Sequence, residues 1–445
     1  MSTGSISSAA RTALVFVAGA AFALIAWRLA TIWAAPFHCA IRGWDDTGYY
    51  LWLRSAVNDG DLNFKNDLEE TRTLNDEERA IWLRLPLTQT GLIPNKYGVG
   101  WSISSAPFYL VGKLALKGAA MVGWPVSDSD PDHALCQVLV ILGQAFYAFA
   151  GLWLVWRMLK RWFSAEKSLW AVLLIWLNSP LVYYMTYKLT LSHSVTFFWV
   201  AFSWFAAFRV KDDEQRQVWW GLTGLAVGMS VICRFQAILF ALFPLVVALS
   251  SLIRQKKAIG LHPLWLALGF FIPVSIQLVA WKIVFGQFLT YSYAGEFFQW
   301  GSPHLWDVLF SSYHGLFYWH PVLLVGLVGF VMFLLNPTAQ SAPRTWLISI
   351  LLAWYLNAAW SHWWFGHSFG HRAFEAALIP IMAGFAYVLS RLAVRWQRIV
   401  IPVLLIFGAL NLQLAFLATT KAIPSTRPVT WPELVRHLLD FYGLS

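Results

Sequence analysis

From about residue 12 to residue 418 the chain repeats one pattern, an apolar run, a short polar break and another apolar run. The runs are roughly 16–24 residues long, the length a helix needs to cross the ~30 Å hydrocarbon core of a bilayer. Lipid leaves the backbone no water to bond, so each such segment must satisfy its own N–H and C=O groups as a helix. The composition agrees, with 58% hydrophobic and only 12% charged residues, about half the charge of an ordinary soluble domain. The expected fold class is therefore all-α, a polytopic transmembrane helical protein.

Candidate spans are 12–35, 134–156, 169–187, 190–208, 218–233, 235–252, 263–285, 316–335, 345–360, 373–391 and 399–418, eleven in all. One further segment, Tyr97–Met121, is apolar but interrupted by Pro107, Lys113 and Lys117. Charge decides how to place it. If it lies at the surface or dips in and returns, Arg157, Lys160, Arg161, Lys167, Arg209, Lys211, Arg216, Arg254, Lys256, Lys257, Arg344, Arg391, Arg395 and Arg398 all fall on one side. Only Lys188, Arg234 and Arg372 then occupy the opposing short loops. The positive-inside bias makes the richer side cytoplasmic. The N-terminus is then inside, and the C-terminus and the long loop 36–133 are outside. Residues 1–421 form the transmembrane domain, and 422–445 a short outer tail whose Trp431–Tyr442 stretch is amphipathic.

The net charge of +10 sits in these short loops, so it reports topology and gives no reason to expect nucleic acid. Cys39, Cys136 and Cys233 are too scattered for a disulfide framework or a metal cluster. The segment before residue 35 offers only Arg11 as an n-region, and it reads as an uncleaved first helix. Twenty-eight tryptophans fit an interfacial aromatic belt.

Ten of the eleven histidines map to the outer side, together with the acidic run Asp45-Asp46-Thr47-Gly48-Tyr49-Tyr50. Residues 46–58 read as an amphipathic helix lying on the membrane. Two readings stand for Asp45. It is an N-cap carboxylate, or a general base that deprotonates an acceptor hydroxyl, with Asp46 beside it to orient or polarise. Lys96, at the head of the interrupted segment, suits a lipid phosphate or snorkels to the headgroups. Arg234 lies between two apolar runs, where an arginine is costly without water or a partner. It turns outward to solvent or clamps a phosphate.

The third cluster runs from His362 to Arg372. Its two glycines predict a turn, with Arg372 at the following helix start and Glu375 one turn on. His362, His367 and His371 invite a metal reading, but the glycines break any fixed imidazole face; a divalent metal is unsupported, and no cofactor is firmly implied. Lys188 and His193 mark one outer turn, His314 and His320 another.

In order along the chain, several short motifs resemble the GT-C superfamily of polytopic glycosyltransferases. They are Asp45-Asp46-Thr47-Gly48-Tyr49, Arg54-Ser55, Asp59-Gly60-Asp61-Leu62, Asn95-Lys96-Tyr97-Gly98-Val99-Gly100, Ser179-Pro180 with Tyr183-Tyr184, Arg234 within 228–236, and Ser368-Phe369-Gly370-His371-Arg372. The nearest likeness is to bacterial relatives of the protein O-mannosyltransferases (glycosyltransferase family 39) and of the lipid A aminoarabinose transferase. Many relatives carry Glu where this chain has Asp46, and the C-terminal tail is short for an added soluble domain. The resemblance implies an enzyme of the bacterial inner membrane with an extracytoplasmic site and a polyprenyl-phosphate-linked sugar as donor. The acceptor would be a lipid, glycan or protein hydroxyl, attacked with inversion. Asp45 would act as base, Asp46 beside it, and Lys96, Arg234 and Arg372 would stabilise the departing phosphate. Tyr49, Tyr50, Tyr97, His193, His367, His371 and Glu375 would line the substrates. The competing classes are a transporter or flippase of lipid-linked sugars, which should show repeats and midplane charges, and a non-catalytic envelope assembly protein.

Overall fold

The computed structural model describes residues 7–34, 41–127, 129–255, 260–336 and 344–443. Cys39, Lys256 and Lys257 lie outside them. Among the described residues there is no strand, only an isolated bridge between Phe298 and Trp360. Helices occupy every expected apolar run, from Ser8–Ala34 to Val394–Thr419. The protein is all-α and integral to the membrane. Among the described residues, four helices are long and apolar enough to cross a bilayer by length and composition, namely Ala134–Leu159, Phe235–Arg254, His262–Phe285 and Val394–Thr419, and Gln217–Cys233, Val322–Leu335, Thr345–Ala359 and Leu378–Arg391 are shorter apolar helices. The interrupted segment forms one continuous helix, Gly100–Met121, with Pro107 inside it.

The chain divides into two compact units, each assembled from separated stretches. The first takes Met1–Ala23, Gly151–Tyr187 and Glu296–Ser445, and the second takes Leu24–Ala150 and Lys188–Gly295.

Each unit contains a helix pair in backbone contact through glycine. In the second unit, a Cβ on Gly224 would strike the Leu266 carbonyl, and one on Gly269 would strike the Gly221 carbonyl. In the first, Gly326, Gly329 and Gly384 play the same part between Val322–Leu335 and Leu378–Arg391. Lipid supplies no hydrophobic drive between helices, so close van der Waals approach through small residues does the work.

The acidic segment differs from expectation. The helix is Trp44–Arg54, continued by one π turn, Ser55–Asp59. Every residue from Asp46 to Arg54 is buried, so the segment is enclosed on all sides and is not a surface helix with one wet face. Its polar groups are matched from within. Thr47 donates to Thr73 Oγ1 at 2.8 Å, Trp52 Nε1 to the Tyr97 carbonyl at 3.0 Å, and Asn95 Nδ2 to the Gly48 carbonyl at 2.8 Å.

Candidate active site

The fold separates the two members of the acidic pair. Gly43 turns the chain into the helix at φ 109°, and no side chain caps its first turn. Asp45 is therefore not an N-cap. It is half-buried, and its Oδ1 accepts the Tyr97 hydroxyl at 2.5 Å. Asp46 is 2% exposed. Its Oδ2 takes Lys188 Nζ at 2.9 Å and its Oδ1 takes the Thr190 hydroxyl. Lys188 also donates to the Arg42 carbonyl at 3.0 Å. One carboxylate is thus sunk and held, while its neighbour stays partly open. Lys188 and Thr190 were not among the expected site residues. The available signal was a lysine in a tight break between apolar runs, which needs an anion nearby.

Tyr97 reaches Asp45 because the segment before the Gly100–Met121 helix lies hard against another helix end. A Cβ on Gly98 would collide with the Ile232 carbonyl, and one on Gly100 would come within 2.5 Å of Cys233 N. Val99 N–H donates to Gln277 Oε1 at 2.8 Å, and Tyr97 N–H to Asn95 Oδ1 at 3.1 Å. The Tyr97 ring covers Gly48, where any Cβ would strike it, and lies 4.6 Å from the Tyr49 ring. Burial, and then the Asp45 charge, push the Tyr97 phenol well above its ordinary pKa, so it stays a proton donor toward Asp45.

The same packing sets two further cations of this unit. Lys96 is half-exposed, with Nζ 5.6 Å from the Tyr97 ring centre and 5.2 Å from that of Tyr293. Arg234 is an extended residue between Gln217–Cys233 and the 3₁₀ turn Phe235–Ala241. Its Nη1 lies 3.4 Å from His193 Nδ1. His193 is buried and opens the helix His193–Asp212. Ser192 just before it donates to the Tyr49 hydroxyl at 2.8 Å. Tyr50, expected to line the substrates, is fully buried and donates to the Pro131 carbonyl at 2.7 Å. It braces the helix from behind.

A buried ionic cluster secures the far end of that helix. Arg54 is 1% exposed and pairs with Asp67, with Glu70 at 3.3 Å and with Asp132 at 3.6 Å. Burial works against its charge, but Asp132 and Asp67 outweigh that and raise its pKa.

The first unit holds the glycine-rich cluster. Phe365, Gly366 and Gly370 all have positive φ, the turn expected from the glycines, and Arg372–Phe374 follows as a 3₁₀ turn. Tyr184 OH lies 2.9 Å from Ser368 Oγ and accepts Phe369 N–H at 3.1 Å. His320 sits where a Gly370 side chain would be. His371 was expected to line the substrates, yet it is wholly buried with Nε2 3.0 Å from the Trp363 carbonyl. His314 Nδ1 lies 2.9 Å from the Trp364 carbonyl. These two imidazoles support the turn. His367 is exposed, with Nδ1 2.9 Å from Ser425 Oγ. Arg372 is half-buried and Glu375 buried. Among the described residues no three His, Cys, Asp or Glu side chains converge as a metal would need.

Comparison with known proteins agrees with this architecture. The solved structure of ArnT from Cupriavidus metallidurans in the apo state superposes over 98% of this chain and 76% of that chain, at 12% identity and a TM-score of 0.53. The chain has the GT-C fold. A family model described as dolichyl-phosphate-mannose-protein mannosyltransferase matches residues 136–281, a stretch that includes Lys188, Thr190, His193 and Arg234. ArnT bound to undecaprenyl phosphate, from the same organism, matches 92% of this chain and 69% of that chain at 13% identity and a TM-score of 0.48. No curated protein matches the sequence. The family whose model matches is, by its description, one of mannosyltransferases.

Proposed function

We propose that the chain is a membrane glycosyltransferase that moves a sugar from a polyprenyl-phosphate donor to an acceptor hydroxyl on the extracytoplasmic side, with inversion. The observation that carries this reading is the division of the acidic pair. Asp45, bonded to Tyr97, is the general base. The Tyr97 hydroxyl bond orients the Asp45 carboxylate. Asp46 is a positioning residue, fixed by Lys188 and Thr190 under the first turn. The acceptor oxygen attacks the anomeric carbon as its proton passes to Asp45. The bond from that carbon to the lipid phosphate oxygen breaks with both its electrons.

Lys96 and Arg234 receive the negative charge on the phosphate. Arginine offers a planar fork for it and lysine a point charge. The family match supports the donor class, since that family's description names a dolichyl-phosphate sugar.

Mass spectrometry of lipids from cells with and without the protein tests the proposal. A polyprenyl-phosphate sugar should accumulate on deletion, and Asp45→Asn should reproduce the accumulation while the protein is still made and inserted. Identical lipid and glycan profiles in the two strains would remove the transferase reading. A carrier of lipid-linked sugars would keep its function in Asp45→Asn.

A further inference from the structure

The tail helix Trp431–Phe441 presents more apolar surface than the protein covers. Thr430 and Glu433 form a capping box at its start, so the helix is specified locally. Around its axis Trp431, Leu434, Val435, Leu438, Leu439, Phe441 and Tyr442 fill one arc, and Glu433, Arg436, His437 and Asp440 fill the other. The protein buries Leu434, which is 1% exposed, yet Trp431, Val435, Leu439 and Tyr442 are 41%, 51%, 39% and 57% exposed. Half of the apolar arc is thus uncovered.

The helix is not free to turn that edge away. Val429 donates to the Ser312 carbonyl at 3.2 Å, and Tyr313 OH to the Thr426 carbonyl at 2.9 Å, which fixes the linker. At the front, Trp431 N–H donates to Tyr318 OH at 3.1 Å, with the rings 6.1 Å apart. At the back, the Phe441 ring is 5.7 Å from Phe416. Phe416 lies in the last turn of the Val394–Thr419 helix, and Tyr318 stands just before the apolar helix Val322–Leu335. Both pins are therefore at the ends of apolar helices. A helix of eleven residues, roughly 16 Å long, bridges them at the level where those helices leave the lipid. The Val394–Thr419 helix itself leaves Ile406, Phe407 and Leu410 exposed.

We infer that the tail helix lies in the plane of the membrane interface, its Trp431–Val435–Leu439–Tyr442 edge inserted among lipid chains. The occupant of the uncovered edge is the bilayer. Its apolar surface is continuous with the lipid-facing side of the preceding helix, and its polar arc of mixed charge faces water. Helices with this division of faces bind at the headgroup boundary.

Full-length protein in lipid nanodiscs tests this with an environment-sensitive thiol label. Cys39→Ser provides the background, because Cys136 and Cys233 are buried. Labels at Val435→Cys and Leu439→Cys should emit to the blue. They should be quenched by lipids bearing a spin label near the headgroup, and iodide should quench them several-fold less than labels at Arg436→Cys and Asp440→Cys. Equal iodide quenching on both arcs would overturn the inference. So would cross-linking between copies through Val435→Cys, since the occupant would then be a second chain.

Discussion

At the scale of single residues, Asp45 and Asp46 are adjacent in sequence and opposite in circumstance. Asp46 is buried with both oxygens bonded, so its partners can be removed separately and the costs compared. Lys188→Met strands a carboxylate that is 2% exposed. Removing one partner of a fully buried pair costs about 3–5 kcal/mol, and the quarter exposure of the Lys188 side chain lowers the expectation to about 2–3 kcal/mol. Asp46→Asn leaves a lysine that can swing to water, so it should cost only about 1–2 kcal/mol. Thermal unfolding in detergent should rank Lys188→Met as the less stable variant; the reverse order would contradict the burial asymmetry. Tyr97→Phe removes one hydrogen bond, about 1 kcal/mol of stability. With Asp45 as the proposed base, the variant's larger effect should be on turnover, about tenfold slower with little change in donor KM. A Tyr97→Phe enzyme with wild-type turnover would show that the bond to Asp45 does not matter. The sequence placed both aspartates at a helix start, but nothing local could reveal their division. It is made by Lys188 and Thr190, more than 140 residues away.

At the scale of elements, the apolar runs were legible because lipid forces each to be a helix, whereas the breaks between them were not. Gly98 and Gly100 illustrate the difference. Their role is backbone contact with residues 232–233, which no periodicity encodes, and the cation–aromatic segment they deliver is displaced if either gains a side chain. The histidine turn behaves likewise. Its glycines predicted a turn, but the burial of His371 and His314 depends on what packs over them. Burial lowers the His371 pKa to about 3, helped by His314, and the His314 pKa to about 4, against its bond to the Trp364 carbonyl. Both are neutral in the fold, whereas in the unfolded chain they take a proton near the ordinary value of about 6.5. The stability they provide is present in full above about pH 6.5 and is lost as the pH falls toward 4. One pH unit below 6.5, each contributes a loss of roughly 1.4 kcal/mol. Unfolding temperatures measured from pH 7.5 to 5.5 should therefore fall, and His371→Gln should flatten the slope. An unchanged slope in that variant would mean the imidazole is solvated in the fold.

At the scale of the whole molecule, helix length governs how the chain threads the bilayer. A 14-residue helix such as Val322–Leu335 rises about 21 Å, short of the ~30 Å core. Its crossing has to be completed by broken chain, and here Leu316–Trp319 and the residues up to Pro321 precede it. The same holds for Leu378–Arg391, preceded by the Arg372–Phe374 turn. Non-helical backbone at membrane depth persists only where protein or a wet cavity surrounds it, and both breaks carry buried side chains, His320 and Phe374. Hydropathy counts such a break as part of a span, which is why eleven runs were countable although described helices such as Val322–Leu335 and Leu378–Arg391 are too short to cross alone. The Gly100–Met121 helix is the deciding element. At 22 residues it is long enough to cross, yet crossing would put the fourteen loop cations outside and only three inside, against the positive-inside bias. Ser127 lies just beyond this helix and is exposed, so its side reports the choice. In Cys39→Ser protein, Ser127→Cys should react with a membrane-impermeant maleimide added to intact cells (with the outer membrane permeabilised where there is one). Labelling only after lysis would mean that Ser127 lies on the cytoplasmic side and would overturn this threading.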